Sequence, residues 1–503
     1  MMNHTTTLSL LLLLSTAPVH GEEQTSQKTS QQASLSDLEA RLQALLQQIH
    51  EAQEANGSSE TDESTEAAPP ATAASVLESR LEELDQKVRI LERQLEIEKE
   101  QAKERASQTP AVGASREGFQ FRSGDGNFNL RVRGYLQADG LFVESEGADA
   151  ATSTFLMRRV RPVFEATMFK RFDFKVMPDF GMGTTVLQDG YLDARFTPKF
   201  ALRAGKYKSP FGLERLASAT DLLFVERGLP TGLAPNRDVG VMLHGDVAKS
   251  RLSYQAGLFN GVVDGGSADL DSGDGKDFVG RIMTHPFRGA AVFDGLQSLG
   301  VGLAASVGTQ QGSLTAPNLP NLRRQSRASY FRYRVDGTLS GTTIADGDRR
   351  RLSPQGYFYS GSLGLLWEYV WTLQDVRRAE AADTIDSRAW QVAGSWVLTG
   401  ETPSYRGVSP RRPFEPSQGG WGAFEIAARV GRLTIGEDAF PIFANPETSA
   451  RDILAYTIGL NWYLNRSFKV VVNYEEARFD GGSPPSSDRG TERDFLTRLQ
   501  FSF

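Results

Sequence analysis

The chain has 503 residues, no cysteine and a formal net charge of −7. That length exceeds one ordinary compact domain, with closed barrels among the exceptions, and the missing cysteines exclude a disulfide scaffold or a thiolate metal site. Residues 1–118 hold 20 of the 62 acidic residues but only 10 of the 55 basic ones, so the acid sits on an N-terminal arm and the body is slightly cationic.

The arm begins with a short apolar run at residues 8–14, and Val19-His20-Gly21 offers small residues for a cut before Glu22. This reads as a signal peptide over 1–21, too short to span a bilayer and lacking the usual basic start. Residues 22–75 form an acidic low-complexity arm, with a short helical pattern at Leu35, Leu38, Leu42, Leu45 and Ile49 and a Ser/Glu/Ala/Thr/Pro linker after residue 56. Over 76–106, Leu77, Leu81, Leu84, Val88, Leu91 and Leu95 alternate steps of four and three. A strict seven-residue repeat predicts a coiled-coil seam, since a lone amphipathic helix drifts off it. A solvated helix is the bland alternative. Residues 107–118 read as a further linker.

From residue 119 onward the pattern is strand-like. Leu454, Tyr456, Ile458, Leu460 and Trp462 alternate with Ala455, Thr457, Gly459, Asn461 and Tyr463, and Phe424–Val430 and Phe468–Tyr474 behave similarly. In the last nine residues Phe495, Thr497, Leu499, Phe501 and Phe503 share one face, while Leu496, Arg498, Gln500 and Ser502 share the other. One greasy face, one mostly wet face and an aromatic carboxy-terminus describe the closing strand of a transmembrane barrel. Dividing residues 119–503 by about 24 residues per strand and connection gives about 16 strands, a size that leaves an aqueous pore. The expected fold is therefore all-β: a 16-stranded antiparallel transmembrane β-barrel with an N-terminal α-helical coiled coil.

Alternation also assigns the charges. An arginine on the lipid face costs about 2–4 kcal/mol at mid-membrane, so strand arginines should face the lumen or lie at the rims. Leu130, Val132 and Leu136 outward place Arg131 and Arg133 inward. Val160 and Phe164 outward place Arg159 and Arg161 inward, whereas Arg158 has the outer parity and needs a rim or bulge to turn it. Read as a strand, Phe331–Val335 puts Arg332 and Arg334 in the lumen, and the preceding loop adds Arg323, Arg324 and Arg327. Guanidinium forks donate paired hydrogen bonds to oxyanions and never lose their charge, so such a file suits anion passage. The competing reading is that these arginines pair with lumen acids such as Glu165 and Glu425 and brace the wall.

An ordered set of segments resembles the phosphate-selective porins O and P of Gram-negative outer membranes, from about residue 128 to 503. These are Gly134–Asp139, Arg158-Arg159, Ala204–Arg215, Glu226-Arg227, Ala256–Gly261, Gly422–Glu425, Gly459–Asn465 and Arg498–Phe503. The resemblance implies a homotrimer of 16-stranded barrels, each with a constriction loop folded inside. It further implies Arg158 and Arg159 as paired constriction arginines, Arg215 in place of a loop lysine, Ser218 as a serine ligand and Arg227 as another constriction arginine. Asp189 matches an acid that moves the anion on, and Arg323, Arg324, Arg327, Arg332 and Arg334 match an arginine ladder at the mouth. Three positions depart: Tyr135 stands where phosphate-specific members have arginine, and Arg161 and Lys208 where they have tyrosines. The ligand implied is phosphate or another small oxyanion.

The remaining signals are weak. His4, His20 and His50 lie in the arm, which leaves His244 and His285 as bases for an enzyme, and neither Gly-x-Ser-x-Gly nor His-Glu-x-x-His occurs. A calcium loop at Asp264–Gly275 is broken at Gly273. No enzyme, cofactor, metal or nucleic-acid partner is expected. The expected partners are small oxyanions, outer-membrane lipid, two further copies of the chain, and peptidoglycan or a periplasmic protein at the coiled coil. Rival readings are a general or differently selective porin, an envelope tether acting through the coiled coil, and an outer-membrane hydrolase.

Overall fold

The computed structural model describes residues 71–503 apart from 109, 116–117, 145–151, 271–272 and 291–294, together with scattered helical positions between 36 and 51. The expected signal peptide and most of the first linker lie outside the described residues. Two compact units divide the chain, Met1–Thr109 and Pro110–Phe503.

In the first unit a helix, α1, runs from Ala71 to Gln108. Its sequence holds neither proline nor glycine and is bracketed by Pro69-Pro70 and Pro110, which favours one uninterrupted helix. Four-residue pairs Lys87–Glu83 and Arg89–Asp85 at 2.7 and 2.8 Å line its solvated side. Along the heptad seam Val88 is buried and Leu84, Leu91 and Leu95 are partly covered, while Ile90 and Ile97 off the seam are exposed.

The second unit is the barrel. Its wall comprises β1 (Phe128–Glu144), β2 (Thr154–Met168), β3 (Phe172–Asp179), β4 (Val186–Thr197), β5 (Phe200–Lys208), β6 (Arg237–Val247), β7 (Leu252–Phe259) and β8 (Asp277–Thr284). It continues through β9 (Gly300–Gln311), β10 (Ile344–Ser360), β11 (Leu363–Arg378), β12 (Ala381–Val397), β13 (Ala423–Ile435), β14 (Ala450–Tyr463), β15 (Phe468–Ser483) and β16 (Glu492–Ser502). These 16 antiparallel strands close when β16 pairs with β1, Phe495 opposite Phe142 and Ser502 opposite Tyr135. The carboxy-terminal Phe503 exchanges two 3.0 Å backbone hydrogen bonds with Gly134. Beyond the chain end, a hairpin of Ala111–Ser115 and Gly118–Arg122 continues the sheet along β1, so residues read as linker include a strand.

The wall follows the expected alternation. Ile458, Leu460, Phe495 and Leu499 face outward and exposed, while Thr457, Asn461, Asp494 and Arg498 point into the lumen and are buried. Most of the long connections gather at one end, which is the extracellular end by the usual rule. Two of them fold inward. Residues 209–236, between β5 and β6, are mostly buried, and residues 312–343, between β9 and β10, bring Leu322, Tyr330, Phe331 and Tyr333 inside. These side chains pack with Phe211, Leu233 and Phe443 against Val370, Ile385, Leu433 and Ile453. An apolar core thus fills the lumen beside β11–β14 and leaves open space beside β1–β6.

Ile458 lies in mid-strand on the lipid face and is 61% exposed in the isolated chain. Ile458→Arg should destabilise the folded barrel by about 2–4 kcal/mol, read from reversible urea unfolding in lipid. A loss under 1 kcal/mol would place this position at an interface rather than at mid-membrane.

Candidate functional site

The inward loop 209–236 divides the lumen into two chambers. The periplasmic chamber, about 630 Å³, is lined by Arg131, Arg133, Tyr135, Lys175, Asp189, Arg203 and Ser218, among others. The extracellular chamber, about 400 Å³, is lined by Arg158, Arg159, Arg161, Arg215, Arg227, Arg323, Arg324 and Arg327, among others. Lys208, Ala219 and Arg237 line both, which marks the constriction between them.

Wall side chains hold this loop by its backbone. Glu368 accepts from the amide groups of Leu213 and Glu214 at 2.6 and 3.3 Å. Lys469 donates to Leu222 O at 2.8 Å, Asn461 to Leu223 O at 2.9 Å, and Gln137 to Ala219 O at 2.8 Å. Asn473 accepts from the Val225 amide at 2.6 Å. From the periplasmic end a third inward connection, residues 398–422, sends Tyr405 to donate to Leu213 O at 2.5 Å.

Most lumen arginines are matched by carboxylates. Arg158 is the extra residue of a bulge, since Gln137 pairs with Arg159 and Ala138 with Met157, and its Nε reaches Glu226 at 2.6 Å. Arg159 and Arg498 meet the same carboxylate at 3.2 and 3.3 Å. Arg161 pairs with Asp179 at 2.8 Å and donates to the Tyr135 hydroxyl at 2.8 Å. Arg133 forks onto Glu165 at 2.6 and 3.0 Å. Arg324 lies between Glu492 and Asp494. Asp189 is not a bare acid, because Arg237 and Lys175 hold it at 2.8 and 3.2 Å.

Three cations at the constriction are different. Lys208 Nζ and Arg227 Nη2 each donate to Ala217 O at 2.7 Å, so these two nitrogens are at most twice that distance apart. Arg227 Nε donates to Glu214 O at 2.9 Å, and Arg215 donates to Thr231 O. Their partners are backbone carbonyls, and none of the three has a carboxylate within ion-pair distance among the described residues. The buried Arg215 Nε has no hydrogen-bond acceptor. Burial, then the neighbouring Arg227 and Arg237, push the Arg215 guanidinium down to about 9, and burial also lowers that of Arg227. Two unit charges about 5 Å apart repel by roughly 3 kcal/mol at an effective dielectric of 20. An anion placed among them relieves that repulsion.

The ladder divides. Arg323, Arg324 and Arg327 line the extracellular chamber, and Arg327 adopts a left-handed φ of 71°. Arg332 and Arg334 do not line either chamber. Their segment is a hairpin of the loop, not a wall strand, and it turns Phe331 and Tyr333 into the apolar core, which sends the alternate arginines outward. Sequence parity was right about the alternation but wrong about which side is wet. Ser218 is exposed to the periplasmic chamber and bonds Thr220 Oγ1 at 2.8 Å. His244 meets Asp193 at 3.0 Å and His285 the Tyr357 hydroxyl at 2.8 Å. Asp264 is taken by Arg351 and Asp269 by Lys206, so neither is free to ligate calcium. Sequence reasoning missed Glu226, Glu214, Glu368, Arg237 and Arg498. The signal available was that buried arginines on several strands require acids, and Glu226 sits beside Arg227.

The family model for phosphate-selective porin O and P matches residues 128–503. The chain belongs to that family. Porin O of Pseudomonas aeruginosa is 24% identical over 418 residues, covering 77% of this chain and 91% of that protein. The outer membrane channel DcaP of Acinetobacter baumannii superposes with a TM-score of 0.50 at 10% identity, over 78% of this chain and all of that one. An anion-selective porin from Comamonas acidovorans covers 75% of this chain with all of its own length, at 10% identity and a TM-score of 0.47. This porin therefore resides in the outer membrane, and it is a channel, not an enzyme.

Glu226 is the shared partner of three arginines, so neutralising it strands several buried charges. Glu226→Gln should lower the stability of this porin by about 3–5 kcal/mol in urea unfolding. An unchanged midpoint would mean that solvent already compensates these arginines.

Proposed function

We propose that this porin passively conducts inorganic phosphate or related oxyanions through a constriction built from Lys208, Arg215 and Arg227. The observation that carries this reading is the convergence of three cations whose partners are carbonyls, not carboxylates. A carbonyl orients a guanidinium or ammonium group without cancelling its charge. Arg323 and Arg327 gather anions from the extracellular side, and Arg158 and Arg159, already shared with Glu226, shape the approach more than they bind. Ser218 offers a hydroxyl donor just below the narrow point. Phosphate-selective is what the family's description says, and the cationic constriction supports it here.

Asp189 takes a different part from a bare repelling acid. By holding Arg237 and Lys175, it limits how far the cationic field extends below the constriction, which favours release. The trimer is proposed on the family resemblance, with the heptad seam of α1 reinforcing it in the periplasm or reaching toward peptidoglycan or a periplasmic protein. A broader anion porin is the second reading, favoured by the large number of lumen arginines already neutralised by acids.

Planar-bilayer recordings in chloride with phosphate titrated in test the proposal. Arg227→Ala should weaken phosphate block about 10- to 100-fold, the loss expected for one or two charge-assisted hydrogen bonds. Arg332→Ala should leave it unchanged. A current indifferent to phosphate in the unmodified protein would discard the oxyanion station and leave a general porin.

A further inference from the structure

The periplasmic connection 398–422 has two limbs. Its first limb enters the lumen, where Tyr405 stacks on Tyr357 at 5.1 Å and holds the constriction loop. Its second limb, from Arg411 to Trp421, turns the other way and lies on the outer wall of β13 and β14. Phe414 N bonds Leu464 O at 2.6 Å, and Trp462 Nε1 donates to Trp421 O at 2.7 Å. Phe414 meets Trp462 edge-on at 5.3 Å and Trp421 at 5.9 Å, and Trp462 stacks on Phe424 at 5.6 Å. Four rings thus form one cluster at the periplasmic edge of the lipid-facing wall, directly below exposed Ile426, Ile458 and Leu460.

Arg411 and Arg412 stand at the start of this limb, both exposed. Neither has a carboxylate within ion-pair distance among the described residues, although Glu401 accepts from the Arg411 amide at 3.1 Å. The limb's own acid, Glu415, is engaged by Gln418 at 2.7 Å. The outward arginines at the extracellular rim contrast with this: Arg350, Arg388 and Arg478 each hold an acid at 2.8 Å or less. Aromatic rings favour the headgroup level of a bilayer, and guanidinium forks pair with phosphate.

We propose that Arg411–Trp421 is a docking surface for phospholipid of the periplasmic leaflet, its rings in the interface and Arg411 and Arg412 on lipid phosphates. The occupant follows from continuity with the lipid-facing wall and from two exposed guanidinium groups that form no ion pair among the described residues. Docking there would anchor the connection whose other limb supports the constriction. The proposal is independent of which ion the pore conducts.

The test uses the full-length porin in phosphatidylcholine nanodiscs with or without phosphatidylglycerol. The Trp421 signal is the emission of the unmodified protein minus that of Trp421→Phe. It should be quenched by brominated lipid and spared by acrylamide. Anionic lipid should raise Tm, and Arg411→Ala/Arg412→Ala should lose that gain, with inorganic phosphate in detergent giving none. Quenching by acrylamide alone would put the limb in the periplasm, free for a soluble partner, and overturn the proposal. So would a gain in Tm that survives in the double variant or is reproduced by inorganic phosphate.

Discussion

A loop folded into a barrel carries irregular backbone whose N–H and C=O groups must find partners on the wall, and the position of the pore follows from how this chain meets that demand. Inward polar side chains from β1, β11, β14 and β15 each take one or two backbone groups of residues 213–225: Gln137, Glu368, Asn461, Lys469 and Asn473. Because these anchors come from several strands around the barrel, the loop is stretched across the lumen and not draped along one side. Its remaining carbonyls at Glu214, Ala217 and Thr231 then face the gap, where they orient Arg227, Lys208 and Arg215.

The lumen therefore holds two populations of cation. Arg158, Arg159 and Arg498 around Glu226, Arg161 on Asp179, and Arg324 between Glu492 and Asp494 are charge-matched. Buried pairs of this kind add little net stability against an apolar alternative, but removing one partner is costly, so they specify geometry. The bracing reading therefore describes these arginines, and the anion reading is left, as a proposal, to a second group. Lys208, Arg215 and Arg227 form the second population, hydrogen-bonded to backbone carbonyls and to no carboxylate among the described residues.

The wall was legible because lipid imposes a strict rule on every second residue. Phe495 to Phe503, Leu454 to Trp462 and the inward Arg131, Arg133, Arg159 and Arg161 all follow from it. What two-residue periodicity does not encode is long-range pairing. Nothing local announces that Glu226 will collect arginines from β2 and β16, or that Asp189 will be held by β3 and β6. The bulge at Arg158 was legible only as a need, because an arginine of outer parity had to be turned. Residues 331–335 misled for a related reason. Inside a lumen filled by an apolar core, the greasy face of a hairpin points inward and its arginines point away.

A conducting site must attract strongly enough to strip water from an anion and weakly enough to let it leave. In the proposed path, the well is deepest where cations without ion-paired acids converge, in the short span between Lys208 and Arg227. On the extracellular side Glu226 caps the field by sharing three arginines, and on the periplasmic side Asp189 does so by holding Arg237 and Lys175. The acids therefore thin the positive field on both sides without standing bare in the constriction. A bare carboxylate in the constriction would raise a barrier against every anion. A carboxylate already holding two cations instead lowers the local positive charge by one unit without presenting a bare negative group, so the attraction weakens beyond Ala217 and the anion is not repelled.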